Sequence, residues 1–140
     1  MIHLFLDTNI VIDFLTDRKP FSSLAGRLFD YSVKGEVKLY LSAVSYNNIY
    51  YVVRKVSSHK ETIRILSSLI EMTEVIDSTS SIIKDSLNSD FNDFEDALQY
   101  YVALHHNINY FISNDKQLKK EGLTTLPVLK PSDYIKEFLK

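Results

Sequence analysis

The sequence contains no cysteine and no tryptophan, and it has only three glycines among its 140 residues. Without cysteine there can be no disulfide, no thiolate metal site and no thiol nucleophile, so any reaction must use carboxylates, amides, hydroxyls or the four histidines. Three glycines provide no glycine-rich loop of the kind that cradles the phosphates of ATP or NAD. Chemistry based on these nucleotides is therefore disfavoured.

Net positive charge and long apolar runs are also lacking. The formal net charge is -2 and the pI is about 6.1, so there is no general positive field to attract nucleic acid, and any such binding must be local. The N-terminal apolar run is short, is interrupted by Asp7 and has no basic lead. We therefore expect neither a signal peptide nor a membrane span, and we expect a cytoplasmic protein.

Apolar and charged residues occur in proportions typical of a globular domain, at 45% and 24% of the chain, and we expect one domain spanning residues 1–140. Strand-like runs occur at residues 2–6, 37–41, 74–76, 110–113 and 126–129. Helical periodicity fills most of the gaps between them. This alternation predicts an α/β fold.

Three helices are predicted from local signals. Ser58 and Glu61 have the spacing of a capping box, and the apolar residues that follow share one helix face: Ile63, Leu66, Leu69 and Ile70. A broader apolar stripe predicts a well-buried helix, formed by Phe94, Ala97, Leu98, Tyr101, Val102 and Leu104. A short terminal helix is expected to start at Pro131 or Ser132 and to end in EFLK.

Two predicted strands end on acidic residues. In HLFLDTNIV the buried strand runs into Asp7, which is followed by Thr8 and Asn9. In FISNDKQL a second strand runs into Ser113, Asn114 and Asp115. The carboxyl ends of parallel strands form one edge of a sheet, where open α/β folds bind their ligands. We expect Asp7 and Asp115 to meet at this edge.

A third group of acids lies in DFNDFEDALQYY, at the start of the predicted buried helix. Asn92 as N-cap, with Glu95 three residues later, would explain some of these acids through the helix dipole. It does not explain Asp96, which shares a helix face with Asp93. Because like charges on one face repel, such a pair favours a nearby cation or a raised pKa. Asp7, Asp96 and Asp115 are predicted to surround one pocket for Mg²⁺ or Mn²⁺, which prefer oxygen ligands.

Four blocks occur in a consistent order along the chain: FLDTN, LSAVSYNNIYYVVRK, DFEDALQYYVAL and FISNDKQL. In these blocks the sequence resembles the PIN-domain family of metal-dependent nucleases, whose bacterial members are often the toxins of VapBC-type toxin–antitoxin pairs. The resemblance covers nearly the whole chain and implies a single PIN-like domain. It implies a three-layer α/β/α fold with a central parallel sheet of about five strands, and a pocket for one or two divalent ions.

The resemblance also implies roles for individual residues. The catalytic and metal-binding acids would be Asp7, Asp96 and Asp115, with Asp93 as a further metal ligand and Asn9, Glu95, Ser113 and Asn114 as auxiliary residues. The family's second acid, normally a glutamate, aligns with Asn48. An amide brings no charge, so metal affinity should be lower unless Asp93 and Glu95 compensate.

The expected function is hydrolysis of RNA by an endoribonuclease, with a metal-activated water attacking the phosphodiester in line. RNA contacts are expected from Lys116, Arg54 and Lys55, although a solvated helix face is the more common role of such clusters. By resemblance, the expected partner is a small antitoxin. Tyr46, Tyr50 and Tyr51 either pack in the core or form an antitoxin or homodimer interface.

Two other functions remain open. An inactive PIN-fold module that binds RNA or protein gains weight from Asn48. A phosphatase-like domain with Asp7 as nucleophile ranks lower, because DTN lacks the second acid of a DxD pair and only Lys116 could supply the expected lysine. The histidines offer no metal-ligand spacing, since His105 and His106 are adjacent and cannot both face one site on a helix.

Overall fold

The structure is a computed structural model and describes residues 1–139. Its strands are β1 (Ile2–Leu6), β2 (Val37–Ser42), β3 (Glu74–Ile76), β4 (Tyr110–Ile112) and β5 (Val128–Leu129). Its helices are α1 (Thr8–Leu15), α2 (Phe21–Val33), α3 (Ala43–Arg54), α4 (His59–Met72), α5 (Ser80–Leu87), α6 (Phe94–Leu104), α7 (Lys116–Glu121) and α8 (Pro131–Phe138). The five predicted strands are confirmed, although β2, β4 and β5 differ from the predicted bounds by one or two residues.

The five strands form one sheet in the order β3-β2-β1-β4-β5, and every neighbouring pair is parallel. Successive side chains of β1 point to opposite faces of this sheet. Leu4 and Leu6 pack in a core with residues of α1–α4 and α8, whereas Phe5 packs in a second core with residues of α5–α7. The predicted three-layer α/β/α fold is confirmed.

The central position of β1 determines where a ligand can bind. The chain passes from β1 outward to β2 and β3, and then crosses to place β4 on the other side of β1. The carboxyl ends of β1 and β4 therefore adjoin at the point where the strand order reverses, the usual ligand crevice of an open α/β sheet. The backbone N–H of Asp7 donates a 2.9 Å hydrogen bond to the carbonyl of Ile112 and aligns the two strand ends.

Of the two helix N-caps predicted from the sequence, one is confirmed and one is wrong. Ser58 caps α4 as predicted, because its hydroxyl accepts the N–H of Glu61 at 3.1 Å. The prediction that Asn92 caps α6 is wrong. The cap is Asp93, whose Oδ1 accepts the N–H of Asp96 at 2.9 Å, while the N–H of Asn92 donates to Glu121. The side chain of Asp93 therefore has a structural role as well as a place beside Asp96.

The buried face of α4 includes fewer residues than its apolar stripe. Leu69 is buried, but Ile63 and Ile70, which share its predicted apolar face, are 44% and 55% exposed. Thr62 is buried instead, because its hydroxyl donates to the carbonyl of Ser58 and so satisfies its polar group. Phe94, which belongs to the apolar stripe predicted for α6, is 49% exposed and is not part of the hydrophobic core.

No helix within residues 1–139 is long and apolar enough to cross a membrane. The terminal helix α8 begins at Pro131 and ends at Phe138. The last residue of the predicted EFLK ending lies outside the described residues.

Candidate active site

Asp7 follows β1 directly and is only 4% exposed. The hydroxyl of Ser113 donates to its Oδ2 at 2.7 Å, and the amide of Gln99 donates to its Oδ1 at 3.4 Å. Burial raises the pKa of Asp7, and this effect exceeds the lowering by hydrogen bonds from Ser113, the Asn9 backbone and Gln99. Each carboxylate oxygen accepts one side-chain hydrogen bond and keeps lone-pair capacity for another partner.

A chain of buried polar groups fixes the amide of Gln99. The side-chain oxygen of Gln99 accepts hydrogen bonds from the backbone N–H and the hydroxyl of Thr8, both at 3.0 Å. The Thr8 hydroxyl also lies 2.7 Å from the hydroxyl of Ser45 on α3. Because its oxygen faces Thr8, the NH₂ of Gln99 must face Asp7. The orientation of the Asp7 carboxylate is therefore set by residues of three helices, α1, α3 and α6, and by Ser113 after β4.

Asp115 lies just beyond β4 and is exposed. Its Oδ1 accepts the N–H groups of Gln117 and Leu118 at the start of α7, and its own N–H donates to the Ser113 hydroxyl at 3.0 Å. Ser113 therefore links Asp7 and Asp115. Within residues 1–139, Oδ2 of Asp115 accepts no hydrogen bond and remains available to a ligand.

Asp96 is in the first turn of α6, close to the other acids of this group. Its pKa is raised to about 7, first by burial and then by the negative charges of four other acids: Asp7, Asp93, Asp115 and Glu95. These five carboxylates lie just after β1, at the start of α6 and just after β4, and their charges act on one another. The structure thus places Asp96 within electrostatic reach of Asp7 and Asp115.

Asn48 also reaches this group. On α3, its side-chain NH₂ donates to Oε1 of Glu95 at 2.8 Å. The pKa of Glu95 is raised by burial and by Asp93 and Asp7, and it is lowered by the hydrogen bond from Asn48. Asn48 is therefore in contact with an acid of the site through its amide.

A cavity of about 470 Å³ opens at the same edge of the sheet. Its walls include Asp7, Asn9, Asn114 and Asp115, together with Asp13 and Arg18. The basic residues predicted from sequence, Lys116, Arg54 and Lys55, do not line it. Of the three acids predicted to surround one pocket, Asp7 and Asp115 line this cavity and Asp96 does not. Arg18 was not predicted, because it lies in the loop between α1 and α2, apart from the basic clusters.

A PIN-domain family model matches residues 3–117 of this chain. The chain belongs to the PIN-domain family. Ribonuclease VapC1 from Aquifex aeolicus (strain VF5) is 21% identical over 127 residues, which is 87% of this chain and 88% of that protein. The PIN domain therefore has a similar VapC-type relative over most of its length.

Solved VapC-type structures share the fold of this PIN domain. VapBC2 from Rickettsia felis, bound to a DNA fragment from its promoter, matches with a TM-score of 0.71 and 15% identity, over 92% of this chain and 98% of that chain. VapC20 from Mycobacterium tuberculosis, described as a sarcin-ricin loop cleaving toxin, matches with a TM-score of 0.68 and 14% identity, over 89% and 98% of the chains. At these identities the likeness establishes the fold.

The donors of the PIN-domain site suit Mg²⁺ or Mn²⁺, because carboxylate oxygens are hard ligands and Asp7 and Asp115 retain open coordination capacity. Within residues 1–139, however, no three His, Asp or Glu side chains are placed so that they could hold one ion. Mg²⁺ usually takes one or two carboxylates directly and keeps several waters. The arrangement therefore fits an ion held by one or two acids, with the other carboxylates contacting its waters.

The raised pKa of Asp96 predicts how stability depends on pH without metal. Because the unfolded chain loses this proton near the ordinary pKa of 3.8 and the folded chain near 7, the contribution of Asp96 to folding is lost as pH rises between these values. Asp96→Asn should therefore be more stable than the parent at about pH 8, by about 1–2 kcal/mol after allowance for solvent screening. Below about pH 4 the two proteins should be nearly equal.

The measurement is urea unfolding of both proteins in EDTA across this pH range. The matched control is Asp30→Asn, which changes an exposed acid of α2. This variant measures the effect of removing one carboxylate outside the site. A constant difference between Asp96→Asn and the parent at all pH values would contradict the prediction.

Proposed function

We propose that this PIN domain is a Mg²⁺- or Mn²⁺-dependent endoribonuclease that acts as the toxin of a toxin–antitoxin pair. The main support is that Asp7 and Asp115 line one cavity at the sheet edge where the strand order reverses, and that their charges act on Asp96. Further support comes from the relative named Ribonuclease VapC1.

Each acid has a distinct part in the proposed reaction. Asp7, oriented by Ser113 and Gln99, would hold the metal together with Asp115. Asp96 makes no side-chain hydrogen bond within residues 1–139, so its oxygens can orient the attacking water and accept its proton. A bound divalent ion would lower the pKa of water and offset the negative charge that develops on the phosphate.

The remaining polar residues would support this arrangement. Asp93 and Glu95 add negative charge beside Asp96, and Asn48 holds Glu95 in place. We propose that these two acids compensate for the missing family glutamate at position 48. Asn9 and Asn114 line the cavity and could hydrogen-bond to the metal's waters or to the RNA.

The partner we propose is a small antitoxin protein, and a cytoplasmic location would follow from this role. Support comes from similar structures described as toxin–antitoxin complexes, including one from Klebsiella pneumoniae that matches with a TM-score of 0.67 and 19% identity. A homodimer also remains a prediction. Tyr51 is exposed and Tyr46 is partly buried against the core, so Tyr51 has the surface that an interface would use.

The test is cleavage of a single-stranded RNA by the purified protein. We expect cleavage with Mg²⁺ or Mn²⁺, loss of cleavage in EDTA and recovery when excess metal is restored. Equal cleavage with and without EDTA would contradict metal dependence. Binding of RNA without cleavage under any metal condition would instead favour the inactive binding module.

A further inference from the structure

We propose that Arg18 binds a phosphate group of the RNA backbone beside the acidic site. The inference rests on the proposed function, because it concerns how the same cavity receives its substrate. Arg18 and the acids Asp7 and Asp115 line one cavity of about 470 Å³. Among the described residues that line this cavity, Arg18 is the one cation and three are acids.

The side chain of Arg18 is fixed by a buried acid. Its Nε donates to Oδ1 of Asp13 at 2.7 Å, and its Nη2 lies 3.5 Å from Oδ2. The Asp13 side chain is only 7% exposed, whereas that of Arg18 is 60% exposed. The pair therefore has a buried carboxylate at its base and a guanidinium that still faces solvent.

Two further contacts restrict Arg18. Its guanidinium carbon lies 4.5 Å from the centre of the Phe21 ring, close enough for a cation–π contact. Its backbone N–H donates to the carbonyl of Asp13 at 2.9 Å, and its carbonyl accepts the N–H of Ser22 at 2.8 Å. An arginine that is held before binding loses less side-chain entropy when it binds a ligand.

The remaining hydrogen-bonding capacity of Arg18 suits a phosphate. A guanidinium has five N–H donors, and the contacts with Asp13 use the Nε and Nη2 side of the group. Nη1 makes no hydrogen bond within residues 1–139, so its donors are free for an anion. Arginine forms strong, directional hydrogen bonds to phosphate oxygens. Because the other charged residues that line this cavity are acids, Arg18 is the cavity residue that can attract a phosphate of the RNA backbone.

A purely structural role is the alternative, in which the Arg18–Asp13 pair only closes the loop between α1 and α2. The variant that separates the two roles is Asp13→Asn with Arg18→Gln, since it keeps the net charge and can keep a side-chain hydrogen bond. It removes the guanidinium without leaving a buried carboxylate unpaired. Arg18→Lys is the second variant, because it keeps the charge and loses the planar donor group.

Binding should be measured in an Asp7→Asn background, so that the RNA is not cleaved. The probe is a short fluorescent single-stranded RNA, and the readout is its anisotropy over a range of salt concentrations with Mg²⁺ present. Arg27→Ala is the matched control, because Arg27 is an exposed arginine of α2 outside the cavity. Circular dichroism of each variant establishes that it is folded.

The double variant should bind about tenfold more weakly at ~0.1 M salt, and its slope of log affinity against log salt should be smaller by about 0.7. Arg18→Lys should fall between the double variant and the parent, and Arg27→Ala should bind like the parent. If the folded double variant binds with the parent's affinity and slope, Arg18 has only the structural role and the proposed function stands. If neither the Asp7→Asn parent nor the unsubstituted protein in EDTA binds RNA, both the proposed function and this inference are overturned.

Discussion

Replacement of Asp7 by Asn should lower RNA hydrolysis by about 100- to 1000-fold while the fold is retained. The variant removes the charge of the acid that is most buried in the site and that Ser113 and Gln99 orient. Asn has nearly the same shape as Asp and retains an oxygen that can accept one of these hydrogen bonds. The loss of activity should therefore come from the missing charge.

The same Asp7→Asn substitution should lower activity but should not lower the stability of the metal-free protein. Burial raises the pKa of Asp7, so its ionised form makes the folded state less stable as pH rises above the ordinary pKa. In EDTA at neutral pH, Asp7→Asn should therefore be at least as stable as the parent in urea. Asp30→Asn is the control and should keep full activity. Parental cleavage by purified Asp7→Asn would assign the activity to another site or to a contaminant.

Asn48→Glu should reduce stability in EDTA and increase stabilisation by Mn²⁺. The Asn48 amide donates to Oε1 of Glu95 at 2.8 Å, so a glutamate there would replace a hydrogen bond with repulsion between two carboxylates. We expect a metal-free loss of about 1 kcal/mol, or roughly 3–6 °C in melting temperature. With Mn²⁺ the added oxygen ligand should tighten binding, and stabilisation should grow with metal concentration relative to Kd.

The measurement is a thermal melting titration of parent and variant with and without Mn²⁺. Asn48→Gln is the matched control, because it keeps a neutral amide and should respond to Mn²⁺ as the parent does. If Asn48→Glu melts like the parent in both conditions, position 48 contributes nothing to metal binding. Any metal would then depend on Asp7, Asp96, Asp115 and the acids at positions 93 and 95.

The main parts of the candidate site could be predicted because they lie at the ends of regular elements. An apolar run that stops at Asp7, and another that stops before Asp115, indicates two buried strands whose ends carry acids. Asp96 could be predicted because helix-dipole effects do not explain an acid that shares a face with Asp93. These signals are local in sequence and do not require knowledge of the packing.

The residues that were missed depend on contacts between distant segments. In the sequence, Gln99 is an isolated polar residue within an apolar helix. In the structure its side chain contacts Asp7 and Thr8, which are more than ninety positions away. Arg18 lies in a short loop and reaches the cavity because α1 and α2 pack together. The local sequence pattern of a helix or loop does not show which of its polar side chains will contact a segment distant in sequence.

The sequence by itself determined the alternation of strands and helices, the parallel class of fold through its family resemblance, and the acids that end β1 and β4. Only the tertiary structure decided that β4 lies beside β1, that Asn48 contacts Glu95, and that Arg18 shares a cavity with the acids. The physical reason is that hydrophobic periodicity reports which side of an element is buried. Strand order and side-chain pairing depend on how those buried sides pack against one another across the whole chain.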